Sequence, residues 1–268
     1  IYEKVKHVFT NAGTNLTVLH TEYAGHAFDF ANTLDFVGYD GLCAIGGDGT
    51  MYELINGMLK RNDKHKIPIG LITGGTGNSF MYDVDCLDPV DAAKRIVQHK
   101  LRPLDIAKVK ANGKLFYSFN IIGWGLATDA GKLAEKLRWL GGVRYDVASI
   151  IEVLKGKDRI ATLTLEKEVL KENFIFIIGC NTIHTGKAMK MAPLAQLNDG
   201  KIDLIIVRKT LTEGIKRIYV AENDTLDVFL FYDHYLTQVE SLHQELQIQN
   251  YVGFSLFATL LFVMFRIF

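Results

Sequence analysis

The stretch AIGGDGTMYE, Ala44 to Glu53, closes a run of apolar residues and opens one with helical spacing. Upstream, YDGLCAI from Tyr39 to Ile45 is short and apolar enough for a buried strand. Downstream, Met51, Leu54, Ile55, Met58 and Leu59 recur at helical intervals. AIGGDGT is therefore a strand-to-helix turn, and it spends three glycines, a carboxylate and a hydroxyl on the change of direction. Glycines let backbone amides approach an anion closely, and a helix N-terminus adds partial positive charge, so Gly46, Gly47, Gly49 and Thr50 suit a phosphate cradle. A carboxylate would repel phosphate, so Asp48 reads as a chemical residue. The bland alternative is that Asp48 caps the helix it opens.

Working outward, IPIGLI from Ile67 to Ile72 reads as a second strand, and it too ends in a glycine loop, TGGTGNSF from Thr73 to Phe80. Asp88 then reads as an N-cap with Pro89 at the first helical position. Strands alternating with helices predict βαβ units and a parallel sheet, with both glycine loops at its carboxyl edge, where open α/β sheets bind ligands. From Pro103 the texture changes. LDIAKVKANGKLFYSFNII reads as two strands turning at Asn112-Gly113, and the later runs Ile160 to Leu165, Phe174 to Gly179 and Ile202 to Val207 extend this antiparallel character. The expected fold class is α/β in two domains: a parallel-sheet nucleotide-binding domain over 1–104 and an antiparallel β-sandwich over 105–217. A divergent apolar tail fills 218–268. No linker composition marks residue 104, so the two domains are expected to pack closely.

Composition narrows the partners. Thirty Lys and Arg balance thirty Asp and Glu in 268 residues, so no overall field draws the chain to nucleic acid. Cys43, Cys86 and Cys180 lie far apart without metal-ligand spacing, as do the eight histidines, which fits reduced thiols in a cytosolic protein without a resident metal site. The chain opens at Ile1 without an initiator Met, which reads as a fragment. Near its end, Tyr251 to Phe265 is uncharged for 15 residues. As a helix at about 1.5 Å per residue it reaches ~22 Å, short of a ~30 Å hydrocarbon core, so it is not expected to span a bilayer alone.

GGDGTMYELINGML from Gly46, followed by IGLITGGTGNSF from Ile69, resembles the catalytic domain of the diacylglycerol kinase family, which includes sphingosine and ceramide kinases and bacterial relatives. TEYAGHA at Thr21–Ala27, RPLDIAKV at Arg102–Val109, WGLATDAGKLAEKLRWLGGVRYD at Trp124–Asp146 and MAPLAQLNDGKIDL at Met191–Leu204 continue the likeness in order. The resemblance implies a lipid kinase using ATP with Mg²⁺, cytoplasmic and peripheral to membranes, with a lipid substrate as partner; a homodimer stays open. It implies catalytic roles for Asp48 and Glu53. It places Thr21 and the loop Gly75, Thr76, Gly77 and Asn78 around the nucleotide phosphates, and Arg138 and Arg144 on phosphate. Asp129 matches a substrate-binding position. The position two further on, an aspartate in sphingosine kinases, is Gly131 here, so a cationic head group loses its partner. Asp199-Gly200 matches a family position and equally reads as a turn. Against the family pattern, the first strand with its Asn-Pro and glycine loop, and the closing strands after about Arg217 with their Asp-Gly-Glu, are expected to be missing. A non-catalytic remnant and, less favoured, a kinase of soluble substrates like the NAD kinases are the alternatives.

Overall fold

The computed structural model describes residues 1–155, 157–165, 169–186 and 188–208, and the backbone of two strands beyond, Ile218–Ala221 and Leu226–Val228. The chain divides into two compact units, one of residues 1–121 with 181–201, the other of 122–180 with 202 onward. This division differs from the change of texture at 104: the antiparallel hairpin and a late return segment both lie with the glycine loops.

In the first unit, helices α1 (Tyr2–Asn11) and α2 (His26–Thr33) precede strand β1 (Leu42–Gly46), helix α3 (Asp48–Leu59) and strand β2 (Ile69–Thr73). Strands β1 and β2 pair in parallel from Leu42↔Ile69 to Gly46↔Thr73, so both glycine loops leave the same edge. A short helix α4 (Ser79–Asp83) and α5 (Pro89–Val97) follow. The Asp88 carboxylate accepts from the amides of Val90 and Asp91, which makes it the N-cap of α5. Val5 and Phe9 of α1, Met51 and Ile55 of α3, Leu71 and Ile72 of β2, and Phe80, Ala93 and Phe119 form one buried cluster, which fixes the helices on the strand pair.

Strands β3 (Ala107–Ala111) and β4 (Lys114–Ser118) form the hairpin expected at Asn112-Gly113, both of which take positive φ, 50° and 74°. The hairpin is clipped to α3 by one buried amide. Asn56 donates to the carbonyl of Tyr117 at 2.8 Å and accepts from its N–H at 2.9 Å, taking the place of a strand neighbour.

The second unit begins within β5 (Ile121–Gly125), followed by α6 (Leu126–Lys136), a 3₁₀ turn (Arg138–Val143), α7 (Arg144–Leu154), β6 (Ile160–Thr164) and β7 (Val169–Cys180). The two-residue strands β8 (His184–Thr185) and β9 (Met189–Lys190) belong to the first unit, and β10 (Asp203–Arg208) returns to the second. The sheet runs β12-β11-β10-β7-β5 with β6 also on β7, where β11 is Ile218–Ala221 and β12 is Leu226–Val228. Its pairs β6–β7, β7–β10, β10–β11 and β11–β12 are antiparallel, as the later texture predicts. The expectation that strands stop near Arg217 is corrected: alternation is weak there, yet the backbone adds two strands to the sheet. The apolar stretch 251–265 lies outside the described residues. Among the described residues, no helix is long and apolar enough to cross a membrane.

Candidate active site

The two glycine loops are knitted together by backbone and carboxylate contacts. The carbonyl of Gly46 accepts from the amides of Gly74, at 2.8 Å, and Gly75, at 3.0 Å. A Cβ on Gly75 would stand 2.6 Å from Cα of Gly47, so the crossing admits only glycine at that position. Asn78, in left-handed conformation at φ 49°, donates to the carbonyl of Gly75 at 2.7 Å and closes the loop on itself.

Asp48 does not cap the helix it opens. Its two carboxylate oxygens accept from the amides of Ser79, at 2.8 Å, and Phe80, at 3.0 Å, at the start of α4. This is a correction to the capping alternative: the cap is tertiary, joining the loops, and it uses both oxygens. Each oxygen keeps a further lone pair for another donor. Glu53 acts similarly further along α3, where it accepts from the amide of Gly25 at 3.0 Å and holds the TEYAGHA turn. Within that turn the Tyr23 and His26 rings stack at 4.2 Å and Thr21 is exposed.

These contacts restrict what the loops can hold. With the amides of Gly75, Ser79 and Phe80 already committed, a phosphate cradle is confined to Thr76–Asn78 and to the first turn of α3, whose N–H groups have no acceptor within the helix. Gly49 lies exposed in that turn, and a Cβ there would meet nothing within 4 Å. Oδ1 of Asn78 is buried and has no hydrogen-bond partner among the described residues. Such an acceptor suits a donor carried by a ligand, whether an amine or a water on a metal ion. On these observations the residues fit a nucleotide polyphosphate with its magnesium.

Several residues of this unit carry contacts that sequence reading missed. The carboxylate of Asp83, at the far end of α4, is 2% exposed and accepts from the amides of Ile183, at 2.6 Å, and His184, at 3.0 Å. It also lies 2.7 Å from Nδ1 of His184. Asn181 donates to the carbonyls of Asp105 and Phe119, and the Asp105 carboxylate accepts from the amide of Gly200. Asp199 accepts from the amide of Lys201 beside Gly200 at φ 75°, which is the turn its Asn-Asp-Gly sequence allowed. The signal available in sequence was a polar residue inside an apolar pattern, as at Asn56; Asp83 and Asn181 stand at element ends, where such a signal is ordinary.

In the second unit, Asp129 is bound by Arg159 at 2.9 Å and Lys157 at 3.3 Å. The guanidinium of Arg159 holds its carboxyl below the usual range. Glu152, 4% exposed, pairs with Lys155 and, at 3.2 Å, with Lys157. Arg138 and Arg144 both turn to Glu135, the first in a close ion pair and the second at 3.8 Å, with its guanidinium 4.9 Å from the Tyr145 ring centroid. Gly131 has open space where a side chain would begin.

A glycine-loop α/β unit and an antiparallel unit in this order define a class, and comparison with known families identifies it. Residues 1–109 match the diacylglycerol kinase catalytic domain and residues 120–219 the YegS C-terminal NAD kinase β-sandwich-like domain. Residues 1–109 therefore carry the catalytic domain of the diacylglycerol kinase family. The chain is 32% identical to sphingosine kinase 2 of Arabidopsis thaliana over 77% of this chain and 53% of that protein. It is 30% identical to human ceramide kinase over 56% of this chain and 31% of that protein. The chain thus spans from about a third to about half the length of these curated relatives. In fold it is similar to a diacylglycerol kinase from Bacillus anthracis str. Sterne, with a TM-score of 0.61 and 24% identity over 84% of this chain and 79% of that one.

Proposed function

We propose that the chain is an ATP-dependent lipid kinase, acting at a membrane surface on the hydroxyl of a diacylglycerol-, ceramide- or sphingoid-type lipid. The observation that carries this reading is Asp48, a carboxylate fixed at both oxygens between two glycine loops, with lone pairs to spare. ATP with Mg²⁺ supplies, when bound, the transferable γ-phosphoryl group and its countercharge. The chain's own contribution is positioning. The first turn of α3 and the Thr76–Asn78 loop hold phosphate oxygens, Thr50 adds a hydroxyl, and Asp48 accepts the hydrogen of the acceptor hydroxyl and aims its oxygen. Glu53 keeps α3 registered against the Thr21 turn. Arg138 and Arg144, expected on phosphate, both stand paired with Glu135.

Electrostatics favour a neutral acceptor. The carboxylates that could replace the one lost at Gly131 are already engaged, Asp129 by Arg159 and Lys157, Glu135 by Arg138 and Arg144. A cationic amine would compete with fixed guanidinium groups for them. The test is phosphorylation from labelled ATP with diacylglycerol, ceramide and sphingosine in mixed micelles. Product from a neutral lipid at least as readily as from sphingosine is expected. A strong sphingosine preference would overturn the acceptor assignment, and no product from any lipid would favour a binding protein without turnover.

A further inference from the structure

The helical hairpin α6–turn–α7 is closed inside by small residues, Ala130, Ala134 and Ala148, with Leu133 and Leu137 packed against them. Its connecting turn does the opposite and presents large apolar groups to solvent. Trp139 is 79% exposed, a fraction no other large apolar side chain among the described residues exceeds, and Val143 and Tyr145 beside it are about half exposed. Gly141, at φ 59°, breaks the turn and separates Trp139 from Val143. None of these side chains contributes to the buried core. In the sequence from 132 to 146 the charge is basic: exposed Lys132 and Lys136, with Arg138 and Arg144, stand against Glu135 and Asp146. In a chain whose acidic and basic residues balance, this is a local excess.

We propose that this turn is a membrane-docking tip, with Trp139 seated at the headgroup level of an anionic bilayer and Lys132 and Lys136 held over its surface. The choice of occupant rests on the lipid-kinase reading and on two physical points. Indole, with an apolar body and one polar N–H, partitions to the boundary between headgroups and acyl chains. Lysines are depleted from the cores of protein interfaces, whereas an anionic lipid surface attracts each of them within a Debye length. Trp139 and the two lysines belong to none of the groups assigned to phosphate or hydroxyl above.

The experiment is co-sedimentation of the full chain with vesicles of phosphatidylcholine and phosphatidylserine, beside turnover of a short-chain, water-dispersed diacylglycerol. Trp139→Ala should weaken vesicle binding roughly tenfold, equivalent to ~1.4 kcal/mol, while turnover of the dispersed lipid is unchanged. Lys132→Glu with Lys136→Glu should weaken it further and remove most of its salt dependence. Trp139→Phe should retain most of the binding, which guards against a folding artefact. Unaltered vesicle binding by Trp139→Ala would overturn the proposal. So would loss of self-association in that variant with vesicle binding intact, because the tip would then be a contact between copies of the chain. Trp139-dependent binding without phosphorylation of any lipid would sink the kinase reading and leave the docking tip standing.

Discussion

The two units use their carboxylates differently. In the first, Asp48, Glu53, Asp83, Asp88 and Asp105 each accept from backbone amides, often from two consecutive ones. In the second, Asp129, Glu135, Glu152 and Glu172 pair with lysines and arginines. An amide is fixed by the chain, so a carboxylate bonded to it sets the position of a loop. A side-chain cation brings its own rotamers, so the pair sets charge more than geometry. A loop built of glycine has little side-chain packing of its own, and amide anchors supply the rigidity that packing would give elsewhere. Among the described residues, the lysine or arginine pairs of the first unit, Arg61–Asp63 and Arg95–Asp91, join side chains close in sequence.

The contrast is broken most decisively at Asp48. Replacing it with Ala removes both loop bonds and the hydroxyl acceptor, and turnover should fall by ~10² to 10⁴. Asp48→Asn is not a neutral control. An amide offers one oxygen, and its NH₂ would face an N–H, so one of the two bonds to Ser79 and Phe80 is lost at a cost of about 1–3 kcal/mol. Turnover measured beside melting temperature decides the role: activity that falls only as far as the folded fraction falls would make Asp48 an anchor alone.

Asp83 tests anchoring without chemistry. It holds the other end of α4 and is nearly fully buried, so Asp83→Ala strands the amides of Ile183 and His184 and should cost about 3 kcal/mol. Denaturant unfolding measures this directly, and a loss under about 1 kcal/mol would mean that water replaces the carboxylate.

How much of this was legible follows from the range of each interaction. The turn at Ala44–Glu53, the second glycine loop, the Asn112-Gly113 hairpin and the Asp88 cap all lie in contacts between near neighbours, and each stands where its pattern put it. The partners of Asp48 and Asp83 are far along the chain, and no local spacing encodes them. Asp129 showed in the sequence only as a match to a substrate-binding position, because its partners Arg159 and Lys157 lie beyond α7. The return of 181–201 to the first unit was hidden for the same reason, since its contacts, Asn181 with Asp105 and Ile183 with Asp83, join residues 76 and 100 positions apart.

The second unit should respond to acid in its own way. Arg159 lowers the carboxyl of Asp129, and Lys155 with Lys157 lowers that of Glu152. A carboxyl lowered by folding stabilises in full above its unfolded value, near 4, and that contribution disappears as the pH falls through the folded value. Arg159→Gln should therefore cost about 1 kcal/mol at neutral pH, and the gap from the parent chain should close below about pH 4. Added salt should narrow the same gap. A gap that persists in acid would assign the role of Arg159 to packing.

Gly49→Ala carries the smallest effect and separates fold from cradle. A Cβ there meets no neighbour, and Ala is the better helix former, so the variant should be more stable by about 0.5 kcal/mol. The same methyl would stand where an oxygen must approach the first turn of α3, so KM for ATP should rise roughly tenfold, or ~1.4 kcal/mol, with kcat nearly kept. Gly75 offers no such room, because a Cβ there runs into Gly47, and its loss would disturb fold and binding together. Stability against thermal unfolding and KM for ATP, read on the same preparation of Gly49→Ala, should both rise, the one a gain and the other a loss of function. An unchanged KM would move the phosphates away from the start of α3 and leave the Thr76–Asn78 loop to hold them.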